Sequence, residues 1–358
     1  MDNRVTILAA IIGGYGIAST SAGDTGRNPY RLSLGGRFTF GVDADFTSAT
    51  PTLDLGPAGA IATTPAMAAT ILRNYDDGFI GVDVSGNAGD TTTFWGYADA
   101  SQIAGLGTPG GTLSFHSAPS PADQFGLEAD EEVLPGFDFE FSRDLGSFDL
   151  RVNGQATRAW YGFTMAFGYL DLKLAQQGAV TAPVALTTDT FAIGAVIPPV
   201  APYQGTVPGP GPLIPDSPTT RVTAATPATA AVQNEIEGNM YGLTVGPFLE
   251  IPFGERLIAE FSGGLAVAVA DRSYTFSEAV TIAGVPTTVR AGAGDSVDWL
   301  IGGVASLGLN YRFAKHTDLR LGLQYQNLGS TSQSVSGKTA GIDLQNALSV
   351  SIGLGWRF

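Results

Sequence analysis

The chain has no cysteine, and that absence removes several chemistries at once. There is no disulfide framework, no thiolate metal site and no cysteine nucleophile. Charge is scarce too, at 14% of 358 residues, and it is mostly acidic. The 33 Asp and Glu outnumber the 18 Lys and Arg, for a formal net charge of −15. No basic stripe offsets phosphate repulsion, so nucleic acid is excluded as a partner. No apolar run reaches the roughly 18 residues that a membrane-crossing helix needs. Histidine is limited to His116 and His316. A hydrolase needs a base beside a nucleophile or an activated water. His316 falls in a turn, His116 has Ser114 and Ser117 nearby in sequence, and spacing gives it no acidic partner. No GxSxG elbow is present. The expectation is a protein that is not an enzyme, without cofactor or metal, since two separated histidines do not make a metal site.

What is abundant is alternation. The final stretch reads LQNALSVSIGLGWRF. Leu344, Leu348, Val350, Ile352, Leu354, Trp356 and Phe358 share one face, interrupted by Asn346. Gln345, Ser349, Ser351, Gly353, Gly355 and Arg357 share the other. A period of two describes a strand. An oily face opposed by a small, polar one is what the wall of a transmembrane β-barrel requires.

The same pattern recurs upstream. Tyr30, Leu32, Leu34, Phe38, Phe40, Val42, Ala44 and Phe46 make one row. Phe137, Phe139 and Phe141 make another, and Phe148, Leu150 and Val152 a third, with a bulge expected near 158–161 where the phase blurs. Further rows run over 241–251, 257–269, 299–313 and 319–326. That makes eight strands, each long enough to cross a bilayer at a tilt. Short connections near 143–147, 252–256 and 313–318 alternate with long ones at about 47–135, 175–238, 278–296 and 329–343. Short periplasmic turns and long outer loops are the barrel arrangement. Strand-like stretches at 79–84 and 92–97 would raise the count to ten if they crossed. Aromatics fit two boundaries, with Tyr30, Phe141, Tyr311, Phe313, Trp356 and Phe358 at the periplasmic ends. Phe46, Tyr161, Phe163, Tyr241, Trp299 and Tyr325 are expected at the outer ends.

At the amino terminus, Arg4 precedes an apolar stretch and then STSAGD, which reads as a signal peptide over 1–22 cleaved after Ala22. The barrel then occupies 23–358, with large loops at about 47–135 and 175–238. The proline-dense Ile197 to Thr220 reads as an exposed loop. Asp76, Asp77 and Asp83 read as a solvated acidic surface.

These strands resemble the small outer-membrane β-barrels of Gram-negative-type bacteria, the OmpA/OmpX-like class, over about half the chain. The terminal Gly353, Gly355, Trp356 and Phe358 resemble the signal read by the barrel-assembly machinery. The loop text NYDDGFIGVDVSGN and TTTFWGYADASQI also looks like outer-membrane barrel proteins, with no activity attached. The resemblance implies an all-β, antiparallel transmembrane barrel in the bacterial outer membrane. Its partners would be outer-membrane lipid, lipopolysaccharide and the assembly machinery, with any surface ligand unknown.

The rows facing inward carry both charge signs. Arg31, Arg37, Arg151, Arg312, Arg320 and Arg357 oppose Asp43, Asp45, Asp138, Glu140, Asp149, Glu250, Glu260 and Asp298. An eight-stranded barrel is just wide enough for side chains to fill. Two readings stay open. Paired charges would plug the lumen and leave function to the loops. A continuous polar path would make a narrow porin-like channel for ions or small solutes.

Overall fold

A computed structural model describes residues 27–48, 70–83, 89–123, 133–152, 155–205 and 212–358. The signal-peptide expectation over 1–22 lies outside these residues. Eight long strands form a ring: β1 (Tyr30–Phe40), β2 (Leu134–Val152), β3 (Gln155–Ala192), β4 (Thr220–Pro252), β5 (Leu257–Ile282), β6 (Thr288–Ala314), β7 (Thr317–Asn327) and β8 (Ala347–Arg357). Each pairs antiparallel with the next, and β8 pairs back onto β1 from Arg31↔Arg357 to Phe40↔Leu348, closing the barrel. Closure satisfies every edge, which an isolated sheet in lipid cannot do. The stretches at 78–83, 91–92 and 95–97 pair among themselves and with 70–75, 203–204 and 214–215, so the barrel has eight strands and not ten.

The oily rows face outward. Phe38, Leu323 and Val350 sit side by side across β1, β8 and β7, and all are exposed. Trp299 and Ile301 on β6 are 73% and 74% exposed. Exposed apolar area on this scale has no place in water and defines a lipid-facing belt. Tyr30 stacks with Phe141 and with Phe358, each at 6.0 Å, at the end of the barrel that carries the described termini. We call this the terminal end and the opposite one distal.

Several boundaries differ from the sequence reading. Arg143 to Gly146 is not a turn. It continues β2 and pairs with 161–163, with the register shifting between Tyr161 and Gly162, so that Leu145 is the extra residue of a bulge beside the one expected. Tyr161 and Phe163 therefore lie at the terminal end and not the outer one. Residues 175–192 and 220–238 are paired strand. The β3–β4 hairpin runs without a break from Trp160↔Glu250 to Thr190↔Thr220, far beyond the belt. β1 stops at Phe40 because Gly41 takes φ +67, a left-handed conformation that glycine adopts without strain. The chain resumes as the strand Asp43–Ser48, which pairs with the hairpin Ser330–Val335 and Lys338–Asp343 in a separate three-stranded sheet. Ser336 and Gly337 close that hairpin with φ 49 and 82, the two positive values of a type I′ turn. Leu344, placed by pattern in the last oily row, precedes β8 and is buried.

Candidate functional site

The lumen at the terminal end holds a dense set of charges. Inward positions on β1, β2, β4, β5, β7 and β8 bring Arg31, Glu140, Glu250, Glu260, Arg320 and Arg357 together, as the alternation predicts. Arg31, 2% exposed, sits centrally. It reaches Glu140 at 2.9 Å and Glu260 at 2.7 Å, and also touches Glu250. Arg320 bridges Glu140 and Glu260 from the far wall. Asn310 donates to the second oxygen of Glu260 at 3.0 Å. Arg37 pairs with Asp138 at 3.0 Å, and Arg312 with Asp318 at 3.3 Å.

Three members escaped the sequence reading. Arg27 lies before the first strand and meets Asp144 at 2.9 Å and Glu250. Asp144 sits in a segment of turn composition that the structure places in β2. Asp318 stands two residues before Arg320 in the same inward row, a spacing that could have revealed it. With these included, six guanidinium groups (Arg27, Arg31, Arg37, Arg312, Arg320, Arg357) face six carboxylates (Asp138, Glu140, Asp144, Glu250, Glu260, Asp318). Removing ions from water costs several kcal/mol each unless they are paired and hydrogen-bonded.

Five expected members lie elsewhere. Asp43 and Asp45 are exposed on the three-stranded sheet, because the chain leaves the barrel at Gly41. Asp149 and Arg151 are exposed on the part of the β2–β3 hairpin that projects past the barrel, where Asp149 pairs with Arg158 at 3.0 Å. Asp298 is inward but partly open, paired with buried Arg272 at 3.0 Å towards the distal end.

Beyond the charges, small inward residues such as Gly35, Ser262, Ser306, Gly322 and Ser351 leave cavities of about 60 and 30 Å³. Further out the interior turns apolar. Leu170, Leu172 and Leu174 of β3, Ile236 and Met240 of β4, Tyr274 and Phe276 of β5, and Ala340 and Ile342 of the three-stranded sheet form one buried cluster. Phe46 packs against it, 5.9 Å from Tyr274, and so is not an interfacial ring. Within this zone Glu278, 0% exposed, is held by Lys338 at 3.0 Å and by Ser120.

The long hairpin ends in a head. Strand Thr112–Ser117 adds to the tip of β3, and Tyr75, Ile80, Trp95, Tyr97, Phe115, Phe191 and Ile214 make a second apolar core. Tyr203, inside the proline-dense segment, packs against that core, 4.9 Å from Trp95. Asp77 is buried and not a solvated acid. It accepts from the His116 main-chain N–H at 2.8 Å and pairs with His116 Nδ1 at 2.6 Å, fastening the turn after Tyr75 to the neighbouring strand. This is the acidic partner that spacing did not reveal. Tyr75 donates to Asp189 at 2.6 Å, and Arg221 grips both oxygens of Asp189. Burial, followed by the bond to Asp189, pushes the Tyr75 phenol well above its ordinary range.

No protein-family model matches the chain, and no curated protein matches it. Solved structures do. The chain is similar to Ail, the attachment invasion locus protein of Yersinia pestis, at 8% identity over 93% of this chain and 99% of that one, with a TM-score of 0.29. It is similar to the outer membrane protein OprG from Pseudomonas aeruginosa at 10% identity, 93% and 97% coverage and TM-score 0.33. The outer membrane protease OmpT from Escherichia coli matches at 8% identity, 95% and 100% coverage and TM-score 0.32. With overlaps this low, the class is defined by the chain's own closed ring and apolar belt. They are those of a small bacterial outer-membrane β-barrel, located in the outer membrane.

Proposed function

We propose that this protein is a non-enzymatic outer-membrane barrel with a sealed lumen, serving envelope integrity or surface contact through its distal head. The observation that carries the reading is the matching of six arginines, buried or partly buried, to six carboxylates across the lumen. An ion passing through would have to break charge pairs held in a low-dielectric interior. The apolar cluster above the network adds a second barrier, since it offers a dehydrating ion no ligand.

The short connections and both described termini then face the periplasm, and the head stands outside the cell. Outer-membrane lipid and lipopolysaccharide cover the belt. Trp356 and Phe358 point outward and Gly353 and Gly355 inward, the surface that the assembly machinery would read. In the head, the His116 ring hydrogen-bonds to Asp77 and, among the described residues, to no hydroxyl that it could activate.

A narrow channel is the second reading, favoured by the two small lumen cavities, which have room for a few waters. Conductance of the refolded chain in a planar bilayer separates the two. Stable insertion with a silent bilayer is expected. Discrete openings that scale with salt would establish the channel and make the lumen Arg, Asp and Glu its selectivity groups.

A further inference from the structure

We propose that the terminal mouth of the barrel binds a phosphate-bearing oxyanion. A cavity of about 590 Å³ opens there, lined by Arg27, Trp160, Arg312, Lys315, His316 and Arg357. These come from five separate places: the segment before β1, the first part of β3, the end of β6, the β6–β7 connection and the end of β8. Glu255 is the single carboxylate among the lining residues. In a chain of net charge −15, this cavity gathers three guanidinium groups and an ammonium as hydrogen-bond donors in one place.

The polar groups here are nearly all donors. The Trp160 indole N–H is buried and has no hydrogen-bond partner among the described residues. An indole can only donate, so the group that satisfies it must accept. The Arg27 guanidinium lies 4.5 Å from the centre of the same ring, which fixes the relative position of cation and indole. Asp144, Glu250 and Asp318 pair with Arg27, Arg357 and Arg312 at the wall of the mouth. Lys315 has no carboxylate partner among the described residues and sits exposed in the connection between β6 and β7. Glu255 offsets its charge across the cavity, but the Lys315 ammonium itself stands outside the paired network and is open to an added anion. Guanidinium, ammonium and indole N–H groups together match phosphoryl oxygens, which accept several bonds at once. Small-ligand sites span roughly 300–1,000 Å³, so the space suits a phosphate ester or polyphosphate better than a lone phosphate ion.

The test uses the refolded full chain in uncharged maltoside micelles, titrated with tripolyphosphate at constant ionic strength. Binding is read by calorimetry and by tryptophan emission. Saturable binding with a dissociation constant below about 1 mM is expected. Lys315→Glu, in an exposed turn outside the paired network, should weaken it by about tenfold or more. Trp160→Phe should abolish the emission change while the other three tryptophans remain. Absence of saturable binding, or equal affinity in Lys315→Glu, overturns the proposal. Nanodiscs distinguish the source of the phosphate. If phosphatidylglycerol discs suppress tripolyphosphate binding and phosphatidylcholine discs do not, an anionic lipid headgroup fills the site. Equal binding in both assigns it to a soluble anion.

Discussion

Arg320 and Glu260 stand on strands that are not neighbours, and their side chains meet at 2.9 Å inside the barrel, past the intervening β6. Glu260 also accepts from Asn310 and pairs with Arg31, so its two oxygens are fully used. Its removal leaves two buried guanidinium groups short of charge. Glu260→Ala is expected to destabilise by about 3–5 kcal/mol, the usual loss when one partner of a buried pair is deleted. Glu260→Gln, which keeps the shape and one acceptor, should lose less. Urea unfolding in phospholipid vesicles, followed by tryptophan emission, measures both. An alanine variant within about 0.5 kcal/mol of the parent would mean that the network does not hold the barrel together.

Tyr169 and Leu170 mark where the strand changes solvent. Below them on β3, Tyr161 and Phe163 face outward and Thr164 inward. Above them, Asp171 and Lys173 face outward while Leu170, Leu172 and Leu174 are buried. The outer surroundings switch from lipid to water, so the apolar face switches sides and the interior becomes an ordinary core. Leu172→Ala should therefore behave as a core truncation, destabilising by about 2–5 kcal/mol. Lys173→Ala, at an exposed position one residue on, should stay within about 0.5 kcal/mol. The same urea titration decides. Equal effects at the two positions would refute the inversion.

This inversion explains what the sequence displayed and what it hid. Phe38, Val350 and Leu323 were legible because lipid-facing rows alternate cleanly with small or polar residues. Arg31, Glu140, Glu250, Glu260, Arg320 and Arg357 were legible because a charge in such a row must face the lumen. Beyond Tyr169 the oily row is inside, and a search for outward rows reads 175–192 as loop, although every residue is paired, the last two with 112–113. Asp43 and Asp45 kept the right phase with the strand before them, yet Gly41 redirects the chain, and phase says nothing about which sheet a strand joins. Asp144 was hidden because Arg-Asp-Leu-Gly has turn composition, while the bulge at Leu145 is a pairing fact. The Asp77–His116 contact joins residues far apart in sequence, and no local spacing encodes it.

Val350 lies in the middle of the last oily row, between Leu348 and Ile352, flanked by Phe38 and Leu323 on the adjoining strands. Val350→Arg places a charge at the belt's mid-height and should cost about 2–4 kcal/mol. Ser349, the preceding residue, points inward and shares a 2.9 Å hydroxyl contact with Thr39, so Ser349→Ala should cost only about 0.5–1.5 kcal/mol. Folding yield into vesicles and resistance of the folded band to heating measure the difference. Normal assembly of Val350→Arg would count against a lipid-facing position.

Tyr75 gives the head an alkaline limit. Its phenol is raised first by burial and then by donating to Asp189, whose charge opposes a second negative charge beside it. The folded head therefore favours the protonated phenol, whereas in an unfolded chain Tyr75 titrates near the ordinary value of about 10. Its contribution to stability is complete below that pH and is lost progressively as pH rises from there towards the folded value. Phenolate absorbance recorded against pH should show exposed tyrosines titrating first and a late step that coincides with loss of the head's near-ultraviolet circular dichroism. Tyr75→Phe should remove part of the late step and leave Asp189 to Arg221 alone. If every tyrosine titrates reversibly near pH 10 with the head intact, Tyr75 is open to water and the buried contact with Asp189 does not persist in solution.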